Sequence, residues 1–228
     1  MTDHGELLTL HIPGIGDVDA LLLMPQTPRA LYVLAHGAGA PMRHAFMDAI
    51  ARALAVRGVA TLRYNFPYAQ AGRRGPDRPA TLEATVRAAL ERAHAEHGTL
   101  PLFAGGKSMG GRMTSQALAA EPAAAVRGIV FLGFPLHPAG KPDNKRAEHL
   151  PRTTQPLLFV QGTRDSLADP VLMRGVVDGL GERAKMHVVD DADHGFHVRR
   201  SSGRDDEAVI EEIADTVTAW MEQVLQGR

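Results

Sequence analysis

Apolar positions along this chain follow two periods in alternation. Ala30 to Ala35 is an unbroken apolar run, the pattern of a central strand buried on both faces. Met47, Ile50 and Leu54 then recur at helical spacing until Gly58 stops the helix. The alternation repeats with a strand over Val59 to Tyr64, an irregular loop rich in Pro, Gly and Arg from Asn65 to Pro79, and a helix with Leu82, Val86, Ala89 and Ala93 on one face. Further strands are predicted over Leu100 to Ala104, Val126 to Phe134, Leu157 to Gln161 and Lys185 to Val189. Between them lies a helix that begins at Met109 and stops before Pro122. A last helix carries Ile210, Ile213, Val217, Trp220, Met221 and Val224 at a spacing that docks it on a sheet. Strands alternating with helices in this way predict an α/β fold with a parallel sheet. Leu7 to Ile12 and Ala20 to Met24, joined by the turn-rich Pro13 to Asp17, predict an antiparallel hairpin at its edge.

Length and composition narrow the picture. The 228 residues, 44% of them hydrophobic, suit one domain spanning 1–228, and no repeat or low-complexity tract divides them. Lys and Arg number 25 against 26 Asp and Glu, so net charge gives no reason to expect a nucleic acid or an anionic membrane as partner. With no cysteine, the chain has no disulfide, no thiolate zinc site and no thiol nucleophile. Met1 to Glu6 lacks a basic leader pattern, and no apolar run approaches membrane-spanning length, so a cytoplasmic protein is expected. Leu136 to Gln155, rich in Pro, Lys and Arg, is too short for a cap domain and predicts only a small loop or one helix over the site.

Candidate chemistry centres on Gly106-Lys107-Ser108-Met109-Gly110, which joins an apolar strand to a helix. In that context Gly-x-Ser-x-Gly reads as a nucleophile elbow, a sharp turn that holds a serine hydroxyl above the sheet. Serine needs a base to take its proton, and an imidazole titrates in the right range. His194 lies between the last strand and the terminal helix, and a carboxylate is needed to orient it. Asp165, just after the Leu157 strand, is the candidate, with Asp169 as a rival that instead looks placed to cap the helix at Val171. Ser108, Asp165 and His194 each follow a predicted strand, and loops at the carboxyl ends of parallel strands converge. Backbone N–H groups of Ala38, in His36-Gly37-Ala38-Gly39, and of Met109 are the expected oxyanion donors. Phe66, Tyr68, Phe134, Leu136 and Phe196, with Phe46 and Met109, are candidates for an apolar substrate pocket. Arg73, Arg74 and Arg78 form a basic loop, read as solvated. His194 and His197 lack a third metal ligand nearby, and a Walker-type phosphate loop fails because Pro101 stands where its first glycine belongs. No metal and no cofactor are expected.

The same residues give a resemblance over nearly the whole chain. The Ser, acid, His order and the oxyanion turn resemble the α/β-hydrolase superfamily, in its dienelactone-hydrolase-like branch. Four segments are also similar to a small group that includes a testis-expressed protein and the hydrolase-like domain of a subunit of the NSL chromatin complex. These are His36-Gly37-Ala38-Gly39-Ala40-Pro41-Met42, Arg63 to Tyr68, Phe134 to Pro138 and Phe159 to Asp165. The resemblance implies an eight-stranded, mostly parallel sheet with helices on both faces, and it matches Ser108, Asp165 and His194 to the superfamily's catalytic positions. The expected activity is cleavage of a small-molecule ester or thioester through an acyl-serine. Acyl transfer on the same residues is an alternative, as is a non-catalytic interaction module; base, acid, nucleophile and oxyanion turn together argue against the latter.

Overall fold

Eight strands form one sheet in the order β1-β2-β4-β3-β5-β6-β7-β8 in a computed structural model that describes residues 5–227. Met1 to His4, read above for a leader pattern, lie outside the described residues. Strands β3 (Ala30–Ala35), β4 (Val59–Tyr64), β5 (Leu102–Lys107) and β7 (Leu157–Gly162) are buried at every position, as their apolar runs require. From β4 to β8 (Ala184–Val189), by way of β6 (Val126–Leu132), all neighbours run parallel. Strand β2 (Gly16–Leu23) is antiparallel to both β1 (Glu6–Ile12) and β4. The expected hairpin is therefore present but longer. Gly16, Asp17 and Asp19 pair with β1 although they are polar, because an edge ladder is held by main-chain bonds and one side of it faces water.

Helices cover both faces. On one lie α1 (Ala45–Val56) and the last helix, α6 (Asp206–Leu225), whose Met47, Ile50, Leu54, Val209, Ile213 and Val217 pack with Tyr32, Phe103 and Val130 from the sheet. On the other lie α3 (Pro79–His97), α4 (Met109–Ala120) and α5 (Pro170–Gly179), packed on Leu31, Ala104, Phe131 and Phe159. The 65–79 loop carries one short helix, α2 (Pro67–Gln70), started by its proline. Strand β6 stops two residues earlier than expected, since Gly133 at φ 71° turns the chain out of the ladder. No described helix is long and apolar enough to cross a membrane.

The 136–155 segment departs from its expected place. It makes two single 3₁₀ turns, Lys145–Ala147 and Leu150–Arg152, with Ala147 and Leu150 buried in the core on the α4 side. The His149 ring contacts Ser115 Oγ on α4 at 2.7 Å. This segment pads the far face of the sheet rather than covering the serine.

Strand order decides where loops meet. Chain order runs from β3 to β4 on one side, then returns to place β5 on the other side of β3, so the carboxyl ends of β3 and β5 lie side by side. In open α/β sheets that reversal opens a crevice for ligands. Ala35 at the end of β3 pairs with Gly106, which brings the His36 turn beside Ser108.

Candidate active site

Ser108 occupies the single residue between β5 and α4, with φ 50° and ψ −115°. This conformation is costly for a residue with a Cβ, on the order of 1–3 kcal/mol, and the surroundings must enforce it. Flanking glycines make the turn sterically possible. A Cβ on Gly106 would lie 2.2 Å from the Ala35 carbonyl oxygen, and one on Gly110 would lie 2.5 Å from that same atom. The elbow is thus pressed against the end of β3. Ser108 N–H donates to the Leu132 carbonyl at 3.0 Å, tying the turn to β6 as well.

His194 and Asp165 meet the hydroxyl in a continuous row. His194 Nε2 is 2.8 Å from Ser108 Oγ, and His194 Nδ1 is 2.7 Å from Asp165 Oδ2. With Nδ1 protonated and donating to the carboxylate, Nε2 is left as the acceptor for the serine proton. The Asp165 side chain is fully buried, and both of its oxygens accept further hydrogen bonds. Oδ1 accepts from Leu167 N–H at 2.8 Å, and Oδ2 accepts from Gln161 Nε2 at 2.5 Å. Asp169, the rival acid, caps α5 by accepting from Val171 and Leu172 N–H at 2.9 and 3.0 Å.

Two supporting residues were not singled out from sequence. Gln161 bridges Asp165 to the backbone, since its Oε1 accepts from Phe134 N–H at 3.0 Å. A polar residue at the buried end of a strand was the available signal. Lys107, inside the elbow, is nearly buried, and its Nζ donates to the His194 carbonyl. It also lies 5.0 Å from the Phe196 ring centroid and 5.7 Å from that of Phe46. Burial pushes the Lys107 ammonium down to about 8, against the opposing pull of Asp165 and Asp193. The lysine ties the His194 loop directly to the elbow.

The turn from His36 to Gly39 is held from below. Ala38 is exposed at the wall of a cavity that also reaches Ser108 and His194. Met109 is the first residue of α4, where a helix leaves its N–H groups unpaired by the helix itself. His36 is buried beneath the turn. Its Nδ1 is 2.7 Å from the Gly37 carbonyl, and its Nε2 accepts from Phe66 N–H at 3.1 Å. Desolvation pushes this imidazole down to about 4, so it is neutral at physiological pH.

The cavity, of about 830 Å³, opens on the α1 and α6 side of the sheet. Of the residues expected to contact substrate, Phe196 and Phe46 line it, stacked on each other at 5.6 Å. Phe66, Tyr68, Phe134 and Leu136 do not, and this corrects the expectation. All four are buried in the core on the opposite, α4 side, as is Met109. Arg73 pairs with Asp77 at 2.5 Å, away from the cavity. His197 turns its ring to Asp206 at 2.6 Å rather than toward His194.

A family model described as an alpha/beta hydrolase domain matches residues 28–222. Among solved structures, a lidless α/β serine hydrolase from Xanthomonas campestris is 21% identical, with a TM-score of 0.74 over 96% of each chain. A dienelactone hydrolase from Anabaena variabilis is 18% identical, with a TM-score of 0.77 over 96% of each chain. An esterase domain from Rhodothermus marinus is 18% identical, with a TM-score of 0.71 over 94% of this chain and 96% of that one.

Proposed function

Because the chain belongs to the alpha/beta hydrolase domain family, we propose that it is a serine hydrolase that cleaves a small-molecule carboxylic ester or thioester. The observation that carries this reading is the unbroken row from Asp165 through His194 to Ser108, with 2.7 and 2.8 Å contacts. Ser108 Oγ attacks the substrate carbonyl as its proton passes to His194 Nε2, and Asp165 stabilises the imidazolium formed. Ala38 and Met109 N–H groups donate to the oxyanion of the tetrahedral intermediate, an effect of about 3–4 kcal/mol for one such donor elsewhere. Collapse of that intermediate breaks the bond to the leaving alcohol or thiol, which takes the proton from His194. Water then attacks the acyl-Ser108 carbonyl as His194 removes its proton, and collapse of this second intermediate breaks the bond to Ser108 Oγ, which takes the proton back from His194 as the free acid departs. The reaction needs no cofactor. The four sequence segments noted above support nearer kinship with the group of the testis-expressed protein.

Hydrolysis of 4-nitrophenyl butyrate tests the assignment of roles. Ser108→Ala is expected to bring turnover to background, and Asp165→Asn to lower kcat by about 10³–10⁴ through loss of the oriented tautomer. Asp169→Asn, which keeps an oxygen acceptor at the N-cap of α5, should leave kcat within about threefold and stability nearly unchanged. Full activity in Ser108→Ala, or the reverse ranking of the two aspartates, would overturn the reading.

A further inference from the structure

The cavity beside Ser108 is not a round pocket. It extends along α1 from Ala45 past Ala49 and Ala53 to Val56, with Ile210 of α6 on the opposite bank. Those α1 positions are spaced by four, four and three residues, so they form one helix face. Small side chains at three of them leave the space between α1 and α6 unfilled. The eleven helical rises from Ala45 to Val56 make the trough about 16 Å long. Its inner end lies at the stacked Phe46 and Phe196 rings next to Ser108, and its outer end is marked by Val56, which is 86% exposed. An isoleucine, a valine and stacked phenylalanines along one continuous trough are an apolar surface for which folding supplies no cover.

Most charged groups at the trough are committed within the protein, although the exposed Glu207 at the start of α6 also lines it. Arg52 pairs with Asp48 at 2.6 Å, Glu211 with Arg57 at 2.7 Å and Asp206 with His197 at 2.6 Å. The Lys107 ammonium donates to the His194 carbonyl. The trough therefore asks mainly for length and apolar surface.

We propose that the trough binds a linear aliphatic chain of the ester or thioester substrate, so that the substrate class is a medium-chain to long-chain acyl or alkyl ester. The proposal rests on the reading of Ser108 as nucleophile, which sets where the scissile carbonyl lies. A carbon chain advances about 1.2 Å per bond when extended, as the three bonds of a peptide residue span 3.3–3.6 Å. The trough thus accommodates about 8–14 carbons beyond the carbonyl.

Two substrate series tell the acyl side from the alcohol side: 4-nitrophenyl esters of C2 to C16 acids, and acetate esters of C2 to C16 alcohols. In one of them kcat/KM should rise about two- to fourfold per methylene until the trough is filled. Ala49→Phe, which blocks the trough about 6 Å from its inner end, should move the optimum to about six carbons or fewer. Val56→Asp, at an exposed position that tolerates substitution, should depress only the longest chains. A profile that is flat or falling beyond four carbons in both series, or one unchanged in both variants, would overturn the proposal. Calorimetric binding of decanoate and butanoate reads the trough without turnover. If no ester is cleaved but decanoate binds tenfold or more tightly than butanoate, the trough stands and the nucleophile reading falls. Equal affinities would remove the trough.

Discussion

His36 makes two hydrogen bonds that require a neutral ring, donating from Nδ1 to the Gly37 carbonyl and accepting at Nε2 from Phe66 N–H. Protonation would place a second donor against an N–H group in a site closed to water. His149, beside Ser115 Oγ, is likewise pushed down to about 4 by burial first and then by Arg112 and Arg152. An imidazole in the unfolded chain titrates near 6.5. Between pH 6.5 and 4 the unfolded chain thus binds protons that the folded chain refuses, and stability is full above this window and falls with pH through it. The loss is on the order of 3 kcal/mol for each ring. Urea unfolding at intervals from pH 7 to 4 should show this decline, and His149→Gln should flatten part of it. Stability independent of pH across that window would contradict the neutral assignment. From sequence, His36 was legible only as part of a turn. Its partner Phe66 is 30 residues away, and local pattern holds no record of such a contact.

At the scale of elements, helix faces and central strands were readable because burial imposes a period on them. Val59 to Tyr64 and Ala30 to Ala35 have the expected ends. Boundaries set by main-chain pairing were less readable, as Gly16 to Asp19 illustrate: Val18 alone among them is apolar, and one apolar residue does not announce a strand. The elbow was legible because its two glycines answer to sterics that a five-residue motif encodes. Gly110→Ala tests that account, since the new Cβ would meet the Ala35 and His36 carbonyl oxygens at 2.5 and 2.6 Å. Either α4 or β3 must shift. The expected result is a loss of about 1–3 kcal/mol in unfolding free energy and, if Ser108 is the nucleophile as proposed, about a hundredfold loss in kcat/KM, because Ser108 moves with α4. Retention of both would mean that the close approach of α4 to β3 is not what holds Ser108.

For the molecule as a whole, the order of catalytic candidates along the chain was enough to bring them to one edge of the sheet, because parallel strands place their following loops together. Which side of the sheet that edge serves was not written in the pattern. Phe66, Tyr68, Phe134 and Leu136 follow strands that end near Ser108, yet they point into the α4-side core, while the cavity opens toward α1 and α6. Successive residues leaving a strand can turn to opposite faces, so nearness in sequence does not choose between them. The 136–155 segment was misplaced for the same reason. In the proposed function this architecture presents one reactive hydroxyl, that of Ser108. Intact-mass measurement after exposure to a fluorophosphonate tests it most directly. One adduct per chain is predicted, mapped to Ser108 by peptide fragmentation and absent from Ser108→Ala. Labelling of that variant at the wild-type rate, or an adduct on any other residue of the wild-type chain with Ser108 unmodified, would contradict it.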